Sequence, residues 1–336
     1  MKIIGIGNAL LDVLIRLDND HTLAELGLKK GAMDLIDEST MRRIQKAQTG
    51  LERTEAPGGS VCNTMRALAR LNNSGVWEGQ ADTKTGYIGK AGDDAISAYY
   101  EEEIRKAGVR PFLLRTEGLS GCSTVLISPD GERTMATFLG PAGNWSADEI
   151  PDEMIQSYDC MYMEGYLIAN EKLFLPMLTR AKRMGLKVAL DLSNFNIVNG
   201  FRDLLKEVVP AYVDILFSNE SEAFAFTGLP AIEAIDQMAE TVDIAVVTVG
   251  KDGVWAKQAN RKIHQAAISN HVVDTTGAGD HFAAGFLFGY SIDATLEQSA
   301  GIGSLLSGRV IETVGAQIPE DRWTQIKLKI DGILRK

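Results

Sequence analysis

Hydrophobic positions follow two rhythms along this chain. Short apolar runs recur at Lys2–Ile6, Thr85–Ile88, Cys160–Met163, Lys187–Leu192, Asp214–Phe217 and Ile244–Val249. Runs of this length without polar alternation predict strands buried on both faces. Between them the spacing is helical. One helix opens at Gly59-Ser60 and carries Val61, Met65, Leu68 and Leu71 on its apolar face. Others are expected at Thr40–Gln48, Asp93–Lys106 (stopped by Gly108), Glu171–Met184, Phe201–Val209, Ser221–Thr227, Ile232–Thr241 and Ser291–Arg309. Strands alternating with helices at this spacing predict an α/β fold, a central, mostly parallel sheet with helices on both faces.

One segment breaks the alternation. Pro129-Asp130-Gly131-Glu132 is a turn signal between two β runs, Ser123–Ser128 and Arg133–Phe138. With strands expected at 12–17 and 33–36, this hairpin predicts a small separate β-sheet, a lid. No linker-like tract separates it, so the division expected is a large domain of residues 1–12, 38–110 and 140–336 with a lid of 13–37 and 111–139 inserted in it. Pro57-Gly58-Gly59 reads as a loop, and Arg133, at the hairpin's second strand, as a solvated side chain.

Composition narrows the partners. The 336 residues carry a net charge of −11, and Lys29-Lys30 and Arg42-Arg43 are isolated basic pairs. A nucleic-acid binder needs a basic patch, so nucleic acid is excluded. No apolar run approaches the ~20 residues of a membrane span, and Met1–Gly5 is too short for a signal peptide. Cys62, Cys122 and Cys160 are widely spaced, without metal-ligand spacing, and read as reduced thiols in a cytoplasmic protein. Cys62 lies near a helix start, where a thiol pKa can fall; packing is the better reading.

The chemistry concentrates in Asp274-Thr275-Thr276-Gly277-Ala278-Gly279-Asp280-His281-Phe282. Ala266–Val273 reads as a strand before it, and Phe282, Phe286 and Tyr290 as a helix after it. A small-residue turn opening a helix presents unpaired N–H groups and a positive dipole end, a natural phosphate site. Asp280 is an acid where an anion should bind. Its alternatives are a helix cap and a general base taking a hydroxyl proton during phosphoryl transfer. Elsewhere, Gly5-Ile6-Gly7 is not a dinucleotide fingerprint, because Leu10 stands where the third glycine belongs. Asn8 and Asp12 instead lie past a strand end, where open α/β sheets bind ligands. Gly58-Gly59 lets a ligand approach the backbone, with Asn63 one turn into the helix. Asn219 and Glu222 follow another strand end and can hold a hydrated magnesium ion or merely complement a helix dipole. Gly250 and Gly253, after Thr248, allow backbone contact with a nucleotide or form a hairpin turn.

Gly58-Gly59-Ser60-Val61-Cys62-Asn63 and Asp274–Asp280 together resemble the two signatures of the ribokinase (PfkB) family of carbohydrate and nucleoside kinases, over essentially the whole chain. The resemblance implies transfer of the ATP γ-phosphate to a small-molecule hydroxyl. It makes Asp280 the base and the amides of Gly277, Ala278 and Gly279 the anion hole. Asn219 and Glu222 match the family's magnesium and phosphate motif, with Glu222 reaching Mg2+ through water, and Thr248, Gly250 and Gly253 its nucleotide side. Asn8, Asp12, Gly58, Gly59 and Asn63 match the substrate side, with Arg133 also in reach. Backbone around Asp274, Thr276 and Gly315 is where K+ would bind. Gly131-Glu132-Arg133-Thr134-Met135 and the stretch Tyr212–Glu220 are most similar to adenosine kinases. There Leu10 and Leu35 would contact the base, and Asp12 and Asn63 the ribose. Phe195 stands one position earlier than the aromatic that stacks on the purine in adenosine kinases of the animal type, which keeps a free sugar or sugar acid open as acceptor. A monomer or a homodimer through the lid is expected.

Overall fold

The computed structural model describes residues 1–47, 53–72, 85–268 and 271–335. Fourteen strands are described: β1 (Ile3–Ile6), β2 (Leu10–Arg16), β3 (Met33–Leu35), β4 (Arg53–Gly58), β5 (Thr85–Gly92), β6 (Arg110–Thr116), β7 (Gly121–Ile127), β8 (Arg133–Phe138), β9 (Cys160–Glu164), β10 (Lys187–Asp191), β11 (Ile215–Asn219), β12 (Ile244–Thr248), β13 (Val254–Gln258) and β14 (Arg261–Gln265). Nine form one sheet in the order β14-β13-β12-β11-β10-β9-β1-β5-β6, and five form a second in the order β3-β8-β7-β2-β4. In the large sheet every neighbouring pair from β12 to β6 is parallel; β12–β13 and β13–β14, at one edge, are antiparallel.

Period-2 alternation divides the strand side chains between two cores. Ile3 and Tyr162 enter one with Phe282, Phe286 and Leu305; Ile4, Met161 and Met163 enter the other with Phe174, Met177 and Val209. Both faces are therefore covered, which is why these strands read as continuous apolar runs. In the small sheet, Leu11, Val13 and Ile15 of β2 pack with Leu23, Leu26 and Ile44 of the helices His21–Leu26 and Glu38–Ala47. The intervening Leu10, Asp12 and Leu14 turn to the opposite face.

Several boundaries differ from expectation. Pro57 and Gly58 are not a loop; they end β4, an edge strand antiparallel to β2, where a missing N–H is tolerated. So 53–58 pairs in the small sheet, and 110–116 pairs with β5 in the large one, each on the other side of the expected division. Among the described residues of Ala266–Val273 the expected strand is not seen: β14 ends at Gln265, and Val272 and Val273 are exposed loop residues. Ser269 and Asn270 of that segment, and Gln48 of the expected Thr40–Gln48 helix, lie outside the described residues. The loop is instead tied down where Val273 and Asp274 N–H both donate to the Ile311 carbonyl. Ser291–Arg309 is not one helix: Ala278–Ser291 ends there, and a new helix, Leu296–Val310, starts at the Thr295 cap.

Candidate active site

The sheet order reverses around β1, from which the chain runs to β5 and β6 on one side and to β9 and beyond on the other. Such a point opens a crevice at the carboxyl ends of the strands. Asn8 follows β1, and Glu164, Asp191, Asn219 and Thr248 are the last residues of β9, β10, β11 and β12. One edge of the sheet therefore carries the polar groups.

The helix Ser60–Asn72 begins against this edge because two glycines let it. Gly59 has φ +89°, and a Cβ there would run into the Asn8 carbonyl; a Cβ at Gly58 would run into the Asp12 carboxylate. The first turn of this helix meets the first turn of Ala278–Ser291, and the two share one core. Ser60 Oγ donates to Asp280 Oδ1 (2.7 Å) and Asn63 Nδ2 to Oδ2 (2.9 Å). Asp280 is thus not a cap: the residue before its helix is Gly277, at φ +74°. Asn63 Oδ1 is buried without a hydrogen-bond partner, a state native structures avoid unless a ligand or water completes it. Burial raises the Asp280 pKa above the usual carboxylate range, against the bonds from Ser60 and Asn63. Asp12 is pushed up to about 7 by burial and by the charge of Asp280, with Arg66 opposing.

At the turn, Ala278 N–H is spent on the Thr275 carbonyl (3.1 Å). The Gly277 and Gly279 amides take no acceptor among the described residues, and the space where a Gly279 Cβ would point is open.

Arg133 is not solvated. Its Nη2 lies 2.6 Å from Asp274 Oδ2, and its Nη1 donates to Thr276 Oγ1. Asp274 also accepts from Thr276 N (2.9 Å), Thr276 Oγ1 (2.8 Å) and Gly315 N (2.6 Å). Burial alone would raise its pKa; these bonds outweigh it and hold the carboxyl below its ordinary value. A lid side chain therefore grips the loop that leads into the Gly277–Gly279 turn.

Asn219 and Glu222 form a reciprocal cap. Asn219 N and Nδ2 donate to Glu222 (2.9 and 2.6 Å), and Glu222 N donates to Asn219 Oδ1 (2.9 Å). Thr248 Oγ1 donates to the Ser218 carbonyl (3.4 Å). Gly250 and Gly253 turn the chain into β13, and a Cβ at Gly253 would strike the Gln265 carbonyl, so the hairpin itself requires that glycine. Leu10 is buried, with its side chain over Gly121, whereas Leu35 is 73% exposed on the edge strand β3. Phe195 heads its own short helix and is exposed. Cys62 is core: burial pushes its thiol up to about 12.

Two acids escaped the sequence reading. Glu164 is 1% exposed; Oε1 accepts from Asn8 N (2.9 Å) and Nδ2 (2.6 Å), and Oε2 from Val61 N (3.2 Å). Burial pushes it up to about 7, against those bonds and with help from the Asp280 charge. Asp191 accepts from Ser193 N (2.7 Å), at a residue with φ +64°, and its pKa is raised by burial and then by Glu222. An acid closing a wholly apolar run, as in Cys-Met-Tyr-Met-Glu, was the available signal.

Crossed by an acid at a helix start and flanked by free glycine amides, this cleft belongs to the ATP-dependent phosphotransferases with an alcohol acceptor. The chain belongs to the pfkB family carbohydrate kinases, whose family model matches residues 23–323. An adenosine kinase of Saccharomyces cerevisiae is 26% identical, over 95% of this chain and 97% of that protein. Among solved structures, adenosine kinase from Sinorhizobium meliloti is similar with a TM-score of 0.83 and 30% identity, covering 98% of both chains. A probable sugar kinase protein from Rhizobium etli is similar with a TM-score of 0.84 and 28% identity, covering 99% of this chain and 98% of that one. The ribokinase-like fold expected from the motifs is thus the fold observed. Among the described residues no helix is long and apolar enough to cross a membrane.

Proposed function

We propose that the protein transfers the ATP γ-phosphate to the 5′-hydroxyl of a ribonucleoside, adenosine first among them. The observation that carries this reading is Asp280, held by Ser60 on one oxygen and Asn63 on the other, beside the open amides of Gly277 and Gly279. Asp280 takes the acceptor proton as the hydroxyl oxygen bonds to phosphorus and the bond to ADP breaks; burial raises its pKa, which makes it a stronger base than an ordinary carboxylate. The turn amides and the helix dipole balance charge on the transferring group. Asn8, Asp12, Gly58, Gly59 and the unpartnered Oδ1 of Asn63 form the acceptor side; Asn219, Thr248 and Gly250 flank the nucleotide.

Magnesium fits this cleft. Asp191 and Glu222 are both acids whose pKa burial raises, Asp191 with the Glu222 charge added, an unmet negative charge suited to a hydrated divalent ion. Magnesium keeps several waters and takes few direct protein ligands, so two acids at this edge are enough to hold it together with nucleotide phosphates. Such an ion would neutralise phosphate charge. Potassium would have to bind the backbone carbonyls near Asp274, Thr276 and Gly315, because the Asp274 carboxylate is already engaged by four donors, one a guanidinium.

A free sugar or sugar acid is the second reading, supported by the sugar kinases among the relatives and by the exposure of Leu35 and Phe195. ATP consumption with adenosine, inosine, ribose, fructose, 2-keto-3-deoxygluconate and fructose 6-phosphate separates the readings; turnover highest with a free sugar refutes the nucleoside assignment. Asp280→Asn should lower kcat by about two to four orders of magnitude, and near wild-type turnover would remove Asp280 as base.

A further inference from the structure

The residue after the proposed base has a partner that packing alone does not require. His281 is 3% exposed on the helix Ala278–Ser291, and its ring folds back along the helix start. Its Nδ1 lies 2.9 Å from the Gly277 carbonyl, which also accepts the His281 backbone N–H at 2.9 Å. A carbonyl only accepts, so Nδ1 carries the proton. Burial, and the Arg66 charge, keep the ring neutral, with its pKa lowered to about 4 despite the Gly277 bond.

The doubly bonded carbonyl is at the hinge of the turn. Gly277 sits at φ +74° and ψ 7°, a left-handed conformation from which a glycine peptide can rotate freely. The 277–278 peptide carries the Gly277 carbonyl and the Ala278 N–H and links the two peptides that bear the Gly277 and Gly279 amides, so a change in the torsions on either side of it changes the angle between those amides. Ala278 N–H, bonded to the Thr275 carbonyl, holds one end of that plane and the helical bond from His281 N–H holds the other along the helix axis; the ring adds a third restraint at the Gly277 carbonyl. Behind the turn, Ala316 crowds Gly277, within 3.0 Å of the position a Cβ would take, and so limits the backbone on the remaining side.

We propose that His281 is a positioning residue for the anion hole, fixing the 277–278 peptide plane so that the flanking glycine amides are aimed before the phosphoryl group arrives. The inference rests on the phosphotransfer reading of the Gly277–Asp280 turn. It requires donation from Nδ1, and not the bulk or charge of the ring. A preorganised donor is worth about 10²–10³ in kcat when removed outright, and His281 acts one bond away from it, so a loss of about tenfold is expected.

The test compares His281→Leu, His281→Asn and Asp280→Asn in steady-state turnover, with ring-nitrogen NMR of the wild-type protein. Leucine should lower kcat about tenfold while KM for ATP and acceptor stay within about twofold, the pattern of a contact that matters in the transition state. Asparagine, whose amide nitrogen can replace Nδ1, should return kcat to within about threefold of wild type on the same reasoning. The NMR spectrum should show a neutral ring protonated on Nδ1. Leucine and asparagine falling alike, leucine retaining full kcat, or the proton residing on Nε2 would each overturn the proposal. If the leucine variant fails to fold, the asparagine rate and the tautomer decide. Loss of activity in Asp280→Asn with full activity in His281→Leu sinks this inference alone; full activity in Asp280→Asn sinks the base assignment itself.

Discussion

Buried carboxylates set the acid response of this cleft. Asp12 and Glu164 are both pushed up to about 7, chiefly by burial. An acid whose pKa is higher folded than unfolded stabilises the fold when protonated, and loses that contribution as pH rises through the folded value. The ligand-free protein should therefore melt at a higher temperature at pH 6 than at pH 8, and Asp12→Asn should flatten that dependence; an unchanged slope would show that Asp12 is ordinary in the folded state. If Asp280 is the base, it must be ionised to accept a proton, and because burial raises its pKa the acid limb of the rate profile should lie above that of an ordinary carboxylate. The motif residues Asp280, Asn63 and Asp12 were legible in the sequence, since each stands in a short pattern of small residues. Glu164 was not: it is a single acid closing an apolar strand, and only the pairing of β9 with β1 brings it beneath Asn8 and Val61.

Strands and turns decide how these side chains meet. Pattern reading found the parallel strands, because burial on both faces leaves continuous apolar runs. It misassigned Pro57-Gly58, where an edge strand imitates a loop, and Val272-Val273, where exposed apolar loop residues imitate a strand. The hairpin strand β8 was found, but its charged residue was read from local context alone; Arg133 reaches Asp274 only because the small sheet folds over the large one. That contact ties lid to turn, so Arg133→Met should lower phosphotransfer while raising ATP hydrolysis without acceptor relative to it, as water enters a less restrained site. Product analysis with and without acceptor measures the ratio, and an unchanged ratio would leave Arg133 a structural tie only. Gly59→Ala should cost about 1–3 kcal/mol for its left-handed backbone, with the Asn8 carbonyl adding to the strain; urea unfolding checks it.

The whole molecule places its two halves on opposite sides of one cleft, joined where Ser60 and Asp280 meet although 220 positions separate them. The sheet order makes this unavoidable, since β1, from the beginning of the chain, lies between strands contributed by later segments. During synthesis the acceptor side leaves the ribosome long before the acid it needs. A growing chain can fold its first strands and hold a closed set of hydrogen bonds around Asn8 only after β9 has appeared. If Asp280 is the base, catalytic competence arrives late in synthesis, and a truncated product lacking the helix Ala278–Ser291 is a half-built cleft that cannot waste ATP.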